Sequence, residues 1–306
     1  MDSRIAISYV GYVGASVSIR RFHLMRKLFH WKLKGRDITL GERTVILGVL
    51  NVTPDSFSDG GKYQEPDRAF AHALEMEEHG ADIIDIGAES TRPGSARISA
   101  AEELRRLIPA LKRLRGRLTI PISVDTYKAE VAERALEHGA EIINDPTGLT
   151  FEPHLARTAA THDAGLILNH MRGRPETWAK QPPLPDVMGA IVRDLEATIS
   201  RARNAGIERS RMVLDPGLGF GKRKEQNAAI LARLRELSAL DLPILTGPSR
   251  KSFLEHATER ETLFATAAAV TAAILNGAHL VRVHDVSEMR AAADVADEIL
   301  RQLPGE

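Results

Sequence analysis

The chain has 306 residues, of which 43% are hydrophobic, and its 41 basic residues balance 41 acidic ones. This length fits one large domain or two ordinary ones. The neutral net charge gives no global field that would attract nucleic acid or an anionic membrane. The absence of cysteine excludes disulfides, thiolate zinc sites and cysteine nucleophiles, and suits a reducing compartment. We therefore expect a cytoplasmic protein without a nucleic-acid or membrane partner, in which oxygen or imidazole ligands hold any metal.

The first thirty residues differ from the rest. The apolar stretch Ile5–Ile19 is too short to span a bilayer, and the basic run Arg20–Lys27 follows it rather than preceding it, unlike a signal peptide. We interpret residues 1–30 as an N-terminal extension, either disordered or partly helical, or lying upstream of a true start at Met25. A targeting or membrane-touching role is the alternative. Residues 31–306 are expected to form a single domain.

From Trp31 onward the chain alternates between strand and helix patterns. A short hairpin is predicted first, from Trp31–Lys34 and Ile38–Leu40. Eight short apolar runs then predict buried strands: Val45–Leu50, Ile83–Ile86, Ile122–Val124, Glu141–Ile143, Leu166–Leu168, Met212–Leu214, Ile244–Leu245 and Leu280–Val283. Helical periodicity marks segments between them: Asp67–His79, Ala100–Arg115, Thr126–His138, Pro185–Ala205, Gln226–Leu240, Leu263–Asn276 and Ser287–Leu303.

This alternation predicts an α/β fold, a (β/α)8 TIM barrel, with an open doubly wound sheet as the alternative. The positions of the polar residues favour the barrel. They lie at or just after the C-terminal ends of several different strands: Asn51, Asp85, Asp125, Asn144, His170, Asp215 and His284. Barrel enzymes carry their sites at these strand ends, whereas an open sheet would gather them at one switch point.

Two carboxylates and an amide are expected to meet at the barrel mouth. Asp125, Asn144 and Asp215 each end a predicted strand, although any one of them alone could be a helix cap. Because buried like charges repel, such a cluster needs a cationic or N–H-rich ligand. A planar heterocycle with amino and ring N–H groups would satisfy it.

Cations are predicted after the seventh and eighth strands. Residue alternation places Arg282 and His284 on the same, inward side of the eighth strand, if its valines face the helices. Lys251 follows the seventh strand, in the region where barrels often bind phosphate. The structural alternatives are a salt bridge from Arg282 to Asp285 or another carboxylate, and a core position for His284.

Two other patterns resemble cofactor or metal motifs but do not have the required spacing. The glycine-rich segment Gly217–Lys222 has neither Walker A nor dinucleotide-binding spacing, so its glycines are expected to permit close backbone approach and loop hinging. His154, His162 and His170 are spaced too loosely for a zinc motif.

Seven segments, in order, resemble the signature motifs of dihydropteroate synthases. They are Leu50–Gly61, Glu89–Gly94, Ser123–Lys128, Ile143–Asp145, Leu214–Lys222, Gly247–Lys251 and Arg282–Asp285. The resemblance spans roughly residues 31–303. It implies a homodimeric, Mg²⁺-dependent transferase of folate biosynthesis. Such an enzyme condenses 7,8-dihydropterin-6-ylmethyl diphosphate with 4-aminobenzoate, giving 7,8-dihydropteroate and diphosphate.

The same resemblance implies roles for individual residues. Those binding the pterin would be Asp125, Asn144, Asp215 and Lys251, with Thr91 nearby. Asn51 would contribute to Mg²⁺ binding, and Arg282 and His284 would hold the diphosphate. The residues around the aminobenzoate would be Arg92, Phe220, Ser249 and the loop Asp55–Asp59. Catalysis would depend most on Asp125, Lys251 and Arg282.

The chain departs from the usual pattern at Ala88, Pro146 and Asn169, none of which is a proposed catalytic residue. Two alternative functions stay open at this point. One is a pterin-binding methyltransferase-like domain of the corrinoid-dependent type, which would lack the Ser-Arg-Lys and Arg-x-His elements. The other is a non-catalytic pterin-binding paralogue.

Overall fold

The structure is a computed structural model that describes residues 26–53, 65–90 and 97–302. Thr91, Arg92 and the loop Asp55–Asp59 lie outside the described residues, as do residues 1–25 of the predicted extension.

A two-stranded antiparallel hairpin opens the described chain. Strand β1 (Phe29–Lys32) pairs with β2 (Asp37–Leu40), and Phe29 lies opposite Leu40. The predicted hairpin is confirmed, but it begins before residue 31. The preceding segment packs on the barrel too, because the buried Arg26 pairs with Asp297 at 2.5 Å.

Eight parallel strands form the barrel. They are β3 (Val45–Asn51), β4 (Ile83–Gly87), β5 (Ile122–Asp125), β6 (Ile142–Asp145), β7 (Gly165–Asn169), β8 (Met212–Asp215), β9 (Leu245–Thr246) and β10 (Leu280–Val283). They pair in the order β8-β7-β6-β5-β4-β3-β10-β9, and a parallel bridge between Leu214 and Ile244 joins the two ends. The predicted (β/α)8 barrel is confirmed, and the open sheet is excluded.

Helices surround the strands. They are α1 (Glu65–Glu78), α2 (Ala100–Leu114), α3 (Ala129–Glu137), α4 (Leu155–Thr161), α5 (Val187–Asn204), α6 (Lys224–Ala232), α7 (Glu259–Leu275) and α8 (Val286–Gln302). Helix α4 was not predicted, and the single helix predicted for residues 226–240 is α6 followed by a 3₁₀ segment, Leu234–Leu240. No helix in the described part of the chain combines the length and apolar character that a membrane span requires.

The bottom of the barrel is a closed apolar layer, which we call the floor. Trp31, Leu33 and Leu40 of the hairpin pack there against inward residues of the strands: Val45, Leu47, Ile83, Ile142, Ile167, Val213, Leu245 and Leu280. Gly165 makes room for the hairpin, since a Cβ there would lie only 2.4 Å from Leu33. The hairpin therefore plugs one end of the barrel and leaves the other end for a site.

Candidate active site

The barrel mouth is polar because of strand alternation. Successive side chains of a strand point to opposite faces, so the residue two positions beyond an inward apolar one also points inward. On β4 this places Asp85 above Ile83, and on β10 it places Arg282 above Leu280. Val281 and Val283 pack in the outer core with the helices, which confirms the predicted inward orientation of Arg282. We call the polar layer formed by Asp85, Asp125, Asn144, Asp215, Lys251 and Arg282 the mouth hollow.

Arg282 joins the acidic groups of the mouth hollow. Its Nε donates to Asp85 Oδ2 at 2.7 Å, and its Nη2 donates to Asp125 Oδ2 at 2.8 Å. Asn144 Nδ2 donates to the same Asp85 oxygen at 3.1 Å. Arg282 thus touches the carboxylates directly instead of facing them across the barrel, and Asp285 pairs with Arg250. Asp85 is the central residue that the predicted site omitted.

Burial shifts the ionisation of this cluster. It raises the pKa of Asp125 to about 7, against the opposing pull of Arg282. It raises the pKa of Asp215 to about 6, although the Gly217 N–H donates to this carboxylate at 2.7 Å. It lowers the pKa of Lys251 to about 8. Charged groups are costly to desolvate here, so a ligand that donates N–H groups to the carboxylates would relieve that cost.

The loop after β8 folds around a buried lysine. Lys222 Nζ donates to the backbone carbonyls of His170 (2.8 Å), Pro216 (2.7 Å) and Gly217 (2.7 Å). Gly217 has a φ of 70°, and a Cβ there would lie 2.0 Å from the His170 oxygen. The close backbone approach predicted for these glycines is confirmed. The loop holds Asp215 at the mouth and carries Phe220 beyond it.

His284 and Ser249 form a pair beside the mouth hollow. Ser249 Oγ lies 3.0 Å from His284 Nδ1 and also accepts the His284 backbone N–H at 3.2 Å. Burial, together with Arg282 and Arg250, lowers the pKa of His284 to about 3. The imidazole is therefore neutral at pH 7. Ser249 is buried against it, and its expected contact with the aminobenzoate stays a prediction.

A cavity of about 890 Å³ opens next to the mouth hollow, and we call it the outer cavity. Its described lining includes Trp178, Phe220, Lys251 and Ser252, with Leu263 of α7 on another side. Lys251 Nζ lies 4.3 Å from the centroid of the Phe220 ring. Because Lys251 also interacts with Asp125 and Asp215, it belongs to both the hollow and the cavity.

Asn51 lies at the C-terminal end of β3 with its side chain exposed. A Cβ built on Gly87 would lie 3.6 Å from Asn51 Oδ1 and 3.9 Å from Asp125 Oδ2, so both oxygens face the same glycine. No group of three or more His, Asp or Glu converges as a metal cage within the described residues. Mg²⁺ needs no such cage, since it is commonly held by one or two protein oxygens, substrate phosphates and water. The donor set at Asn51 fits that mode.

His170 follows β7 as predicted, but its side chain points outward. Its Nε2 lies 3.0 Å from Asp194 of α5, so the ring does not contribute to the mouth hollow. The preceding residue, Asn169, points inward instead. Asn169 Nδ2 donates to the carbonyl of Pro146 at 2.9 Å, so two of the three departures from the family pattern contact each other.

Residues 47–284 match the pterin-binding enzymes. This chain belongs to the pterin-binding enzyme family. The dihydropteroate synthase of Synechocystis sp. is 46% identical to this pterin-binding enzyme over 265 residues, which cover 85% of this chain and 92% of the relative.

Solved structures of dihydropteroate synthases resemble this pterin-binding enzyme closely. One from Clostridium difficile, determined in the presence of pteroic acid, has a TM-score of 0.81 at 44% identity and covers 86% of this chain and 99% of its own. One from Xanthomonas albilineans with 4-aminobenzoic acid has a TM-score of 0.83 at 38% identity, and the match covers 91% of this chain and 100% of that one. The motif resemblance seen in the sequence is therefore confirmed across the barrel.

Proposed function

We propose that this pterin-binding enzyme is a dihydropteroate synthase, a transferase of folate biosynthesis. It condenses 7,8-dihydropterin-6-ylmethyl diphosphate with 4-aminobenzoate, giving 7,8-dihydropteroate and diphosphate. The observation that carries the proposal is the mouth hollow, where Arg282 joins the carboxylates of Asp85 and Asp125 beside the outer cavity. Relatives that are 42–46% identical to this chain include dihydropteroate synthases, which favours condensation over the methyltransferase alternative.

The pterin ring would occupy the mouth hollow. Asp125, Asn144 and Asp215 would accept its amino and ring N–H groups, and Lys251 would donate to its carbonyl or ring nitrogen. Because burial raises the pKa of both carboxyl groups, bound N–H donors would favour their ionised forms. Ring binding should therefore weaken as the pH falls through about 7 to 6.

The diphosphate would lie beside Arg282 and His284. Arg282 supplies permanent positive charge, while the neutral imidazole of His284 can donate one hydrogen bond, with its other nitrogen facing Ser249. The bond that breaks joins the methylene carbon to the diphosphate oxygen, and diphosphate leaves with the electron pair. The resulting cation is delocalised into the electron-rich dihydropterin and is stabilised by Asp125 and Asp215.

Mg²⁺ would be held by Asn51 together with diphosphate oxygens, and when bound it supplies charge stabilisation to the leaving group. No further protein carboxylate is required for this mode of binding.

The aminobenzoate would enter from the outer cavity. Phe220 and Lys251 line this cavity. The other aminobenzoate contacts, from Arg92, Ser249 and the loop Asp55–Asp59, stay predictions, as does the position of Thr91 near the pterin. The neutral aniline nitrogen attacks the methylene carbon, forms the new C–N bond and then loses a proton to solvent. Since the aniline attacks in its neutral form, no strong general base is needed. Exclusion of water protects the cation until attack.

We further propose a cytoplasmic homodimer. Three large apolar side chains that are exposed on the described surface lie on α7 and α8: Phe264, Val295 and Ile299. Val295 and Ile299 are one turn apart and share a face of α8. Sedimentation at micromolar concentration would test this, because a monomer would leave these side chains in water.

The function is tested by diphosphate release from the purified enzyme. We expect release only when dihydropterin diphosphate, 4-aminobenzoate and Mg²⁺ are all present, and we expect dihydropteroate to form in equal amount. Binding of the pterin without any diphosphate release would support the non-catalytic alternative instead.

A further inference from the structure

The 3₁₀ segment Pro175–Lys180, in the loop between β7 and α5, brings a second aromatic ring to the outer cavity. Trp178 lies against Phe220 edge to face, with ring centroids 5.5 Å apart and an interplanar angle of 77°. Both rings line the outer cavity. The sequence motifs gave no reason to single out Trp178, because it lies in a polar loop outside them.

The neighbouring backbone is shaped around the indole. Gly221 has a φ of 72°, and a Cβ there would lie 3.0 Å from Trp178 Cδ1 and 2.6 Å from the Arg172 carbonyl oxygen. The Arg172 backbone N–H also donates to the Phe220 carbonyl at 3.4 Å. The loop after β7 is thus docked on the loop after β8, with the indole at the contact.

Packing, rather than a hydrogen bond, holds the indole. Its Nε1 is buried and has no hydrogen-bond partner among the described residues. Phe220 is contacted by Lys251 at its ring and by Trp178 at its side, so the indole adds aromatic surface that Phe220 alone does not supply. Edge-to-face aromatic contacts are stabilising beyond the area they bury.

We infer that Trp178 forms a wall of the acceptor subsite and helps to select a planar arylamine as the nucleophile. The inference rests on the proposed function, because it assigns the outer cavity to 4-aminobenzoate. A flat ring that enters beside Lys251 would meet the corner formed by Phe220 and Trp178. The pterin, in the mouth hollow, would not touch the indole.

Steady-state kinetics of Trp178→Leu test this. We expect KM for 4-aminobenzoate to rise about three- to tenfold, within the range that an aromatic contact supplies, with KM for dihydropterin diphosphate and kcat within about twofold. Trp178→Phe keeps an aromatic ring and loses the unpartnered N–H with part of the indole surface, so it should lie closer to the wild type than Trp178→Leu. An unchanged KM for 4-aminobenzoate in Trp178→Leu, or an equal rise for both substrates, would overturn the inference.

Fluorescence gives a second readout that does not depend on Trp178→Leu folding. The chain has two tryptophans, so Trp31→Phe leaves Trp178 as the sole indole. Titration with 7,8-dihydropteroate, whose aminobenzoyl ring would fill the outer cavity, should change the emission of Trp31→Phe but not that of Trp178→Phe. Emission of Trp31→Phe that stays constant while dihydropteroate inhibits turnover would refute the assignment. Absence of any wild-type turnover would instead refute the proposed function.

Discussion

The two ends of the barrel are built from the same strands but differ in what they bury. At the floor the strand residues that pack against the hairpin are apolar, and the indole N–H of Trp31 donates to the Arg211 carbonyl at 2.9 Å. Two positions further along the same strands, the mouth hollow buries carboxyl, amide and guanidinium groups. Asp85 Oδ1 in the mouth hollow has no partner within the described residues, and neither do Ser123 Oγ and Asn169 Oδ1 on the neighbouring strands.

The difference shows where stability and function are separated. Apolar burial at the floor stabilises the fold, whereas buried polar atoms without partners cost about 1–3 kcal/mol each. Substitutions at the floor should therefore lower stability with little effect on the chemistry of the folded enzyme. Substitutions in the mouth hollow should impair the chemistry with little loss of stability.

The largest effect is expected at the floor. Trp31→Ala should lower the free energy of unfolding by about 3–5 kcal/mol, because it removes a fully buried indole from the plug. Denaturant unfolding measures this, with Trp31→Phe as the control that keeps a ring. The separation of stability at the floor from function at the mouth would be contradicted if Trp31→Ala retained wild-type stability. A strongly reduced kcat of its folded fraction would also contradict it.

In the mouth hollow, Asp125→Asn should reduce kcat on the order of 10²–10³-fold, since one fixed charge that stabilises the cation is lost. The fold should persist because Arg282 keeps its contact with Asp85. Diphosphate release and thermal melting together measure both effects. Asp163→Asn, a surface carboxylate paired with Arg211, is the matched control and should behave as wild type. Full activity of Asp125→Asn would argue against the site.

A smaller effect is expected in the pH dependence of stability. The folded enzyme holds the Asp215 proton to about pH 6, whereas the unfolded chain releases it near about pH 4. The folded state therefore binds more protons between these values, and stability should fall as the pH rises through this window, by on the order of 2–3 kcal/mol. Asp215→Asn should make that decline shallower in urea titrations, and the part that remains belongs to Asp125, whose pKa is also raised. An identical pH slope in wild type and variant would contradict the shift.

The smallest effect is expected at the edge of the mouth hollow. Ser249→Ala removes the hydrogen-bond partner of His284 Nδ1, worth about 1 kcal/mol. We expect kcat to fall about fivefold while pterin affinity, measured by isothermal titration, stays within twofold. A loss of pterin affinity equal to the loss of kcat would place Ser249 in the ring site instead.

Much of the fold could be predicted because strands and alternation are local signals. The runs around Ile122 and Met212 gave the strands, and the valines of β10 fixed the inward side of Arg282. Helix α4 was missed because seven residues hold too little periodicity. Periodicity alone placed the start of α7 four residues late. The capping box of Thr258 and Glu261 marks the correct start in the sequence.

Parts of the candidate site could not be predicted because they depend on distant partners and burial. Asp85 and Arg282 are 197 residues apart, and only the closed barrel brings them into contact. His170 points outward because side chains alternate along β7 and Asn169 points inward. This alternation is visible in the sequence. The neutral state of His284 arises from burial beside Arg282, and no sequence motif reports it.

The most direct test is a crystal structure of the enzyme with dihydropterin diphosphate and Mg²⁺. We predict ring N–H groups within hydrogen-bond distance of Asp125, Asn144 and Asp215, with the diphosphate beside Arg282 and His284. A ring bound outside this layer of side chains, or a diphosphate at the opposite wall, would contradict the account.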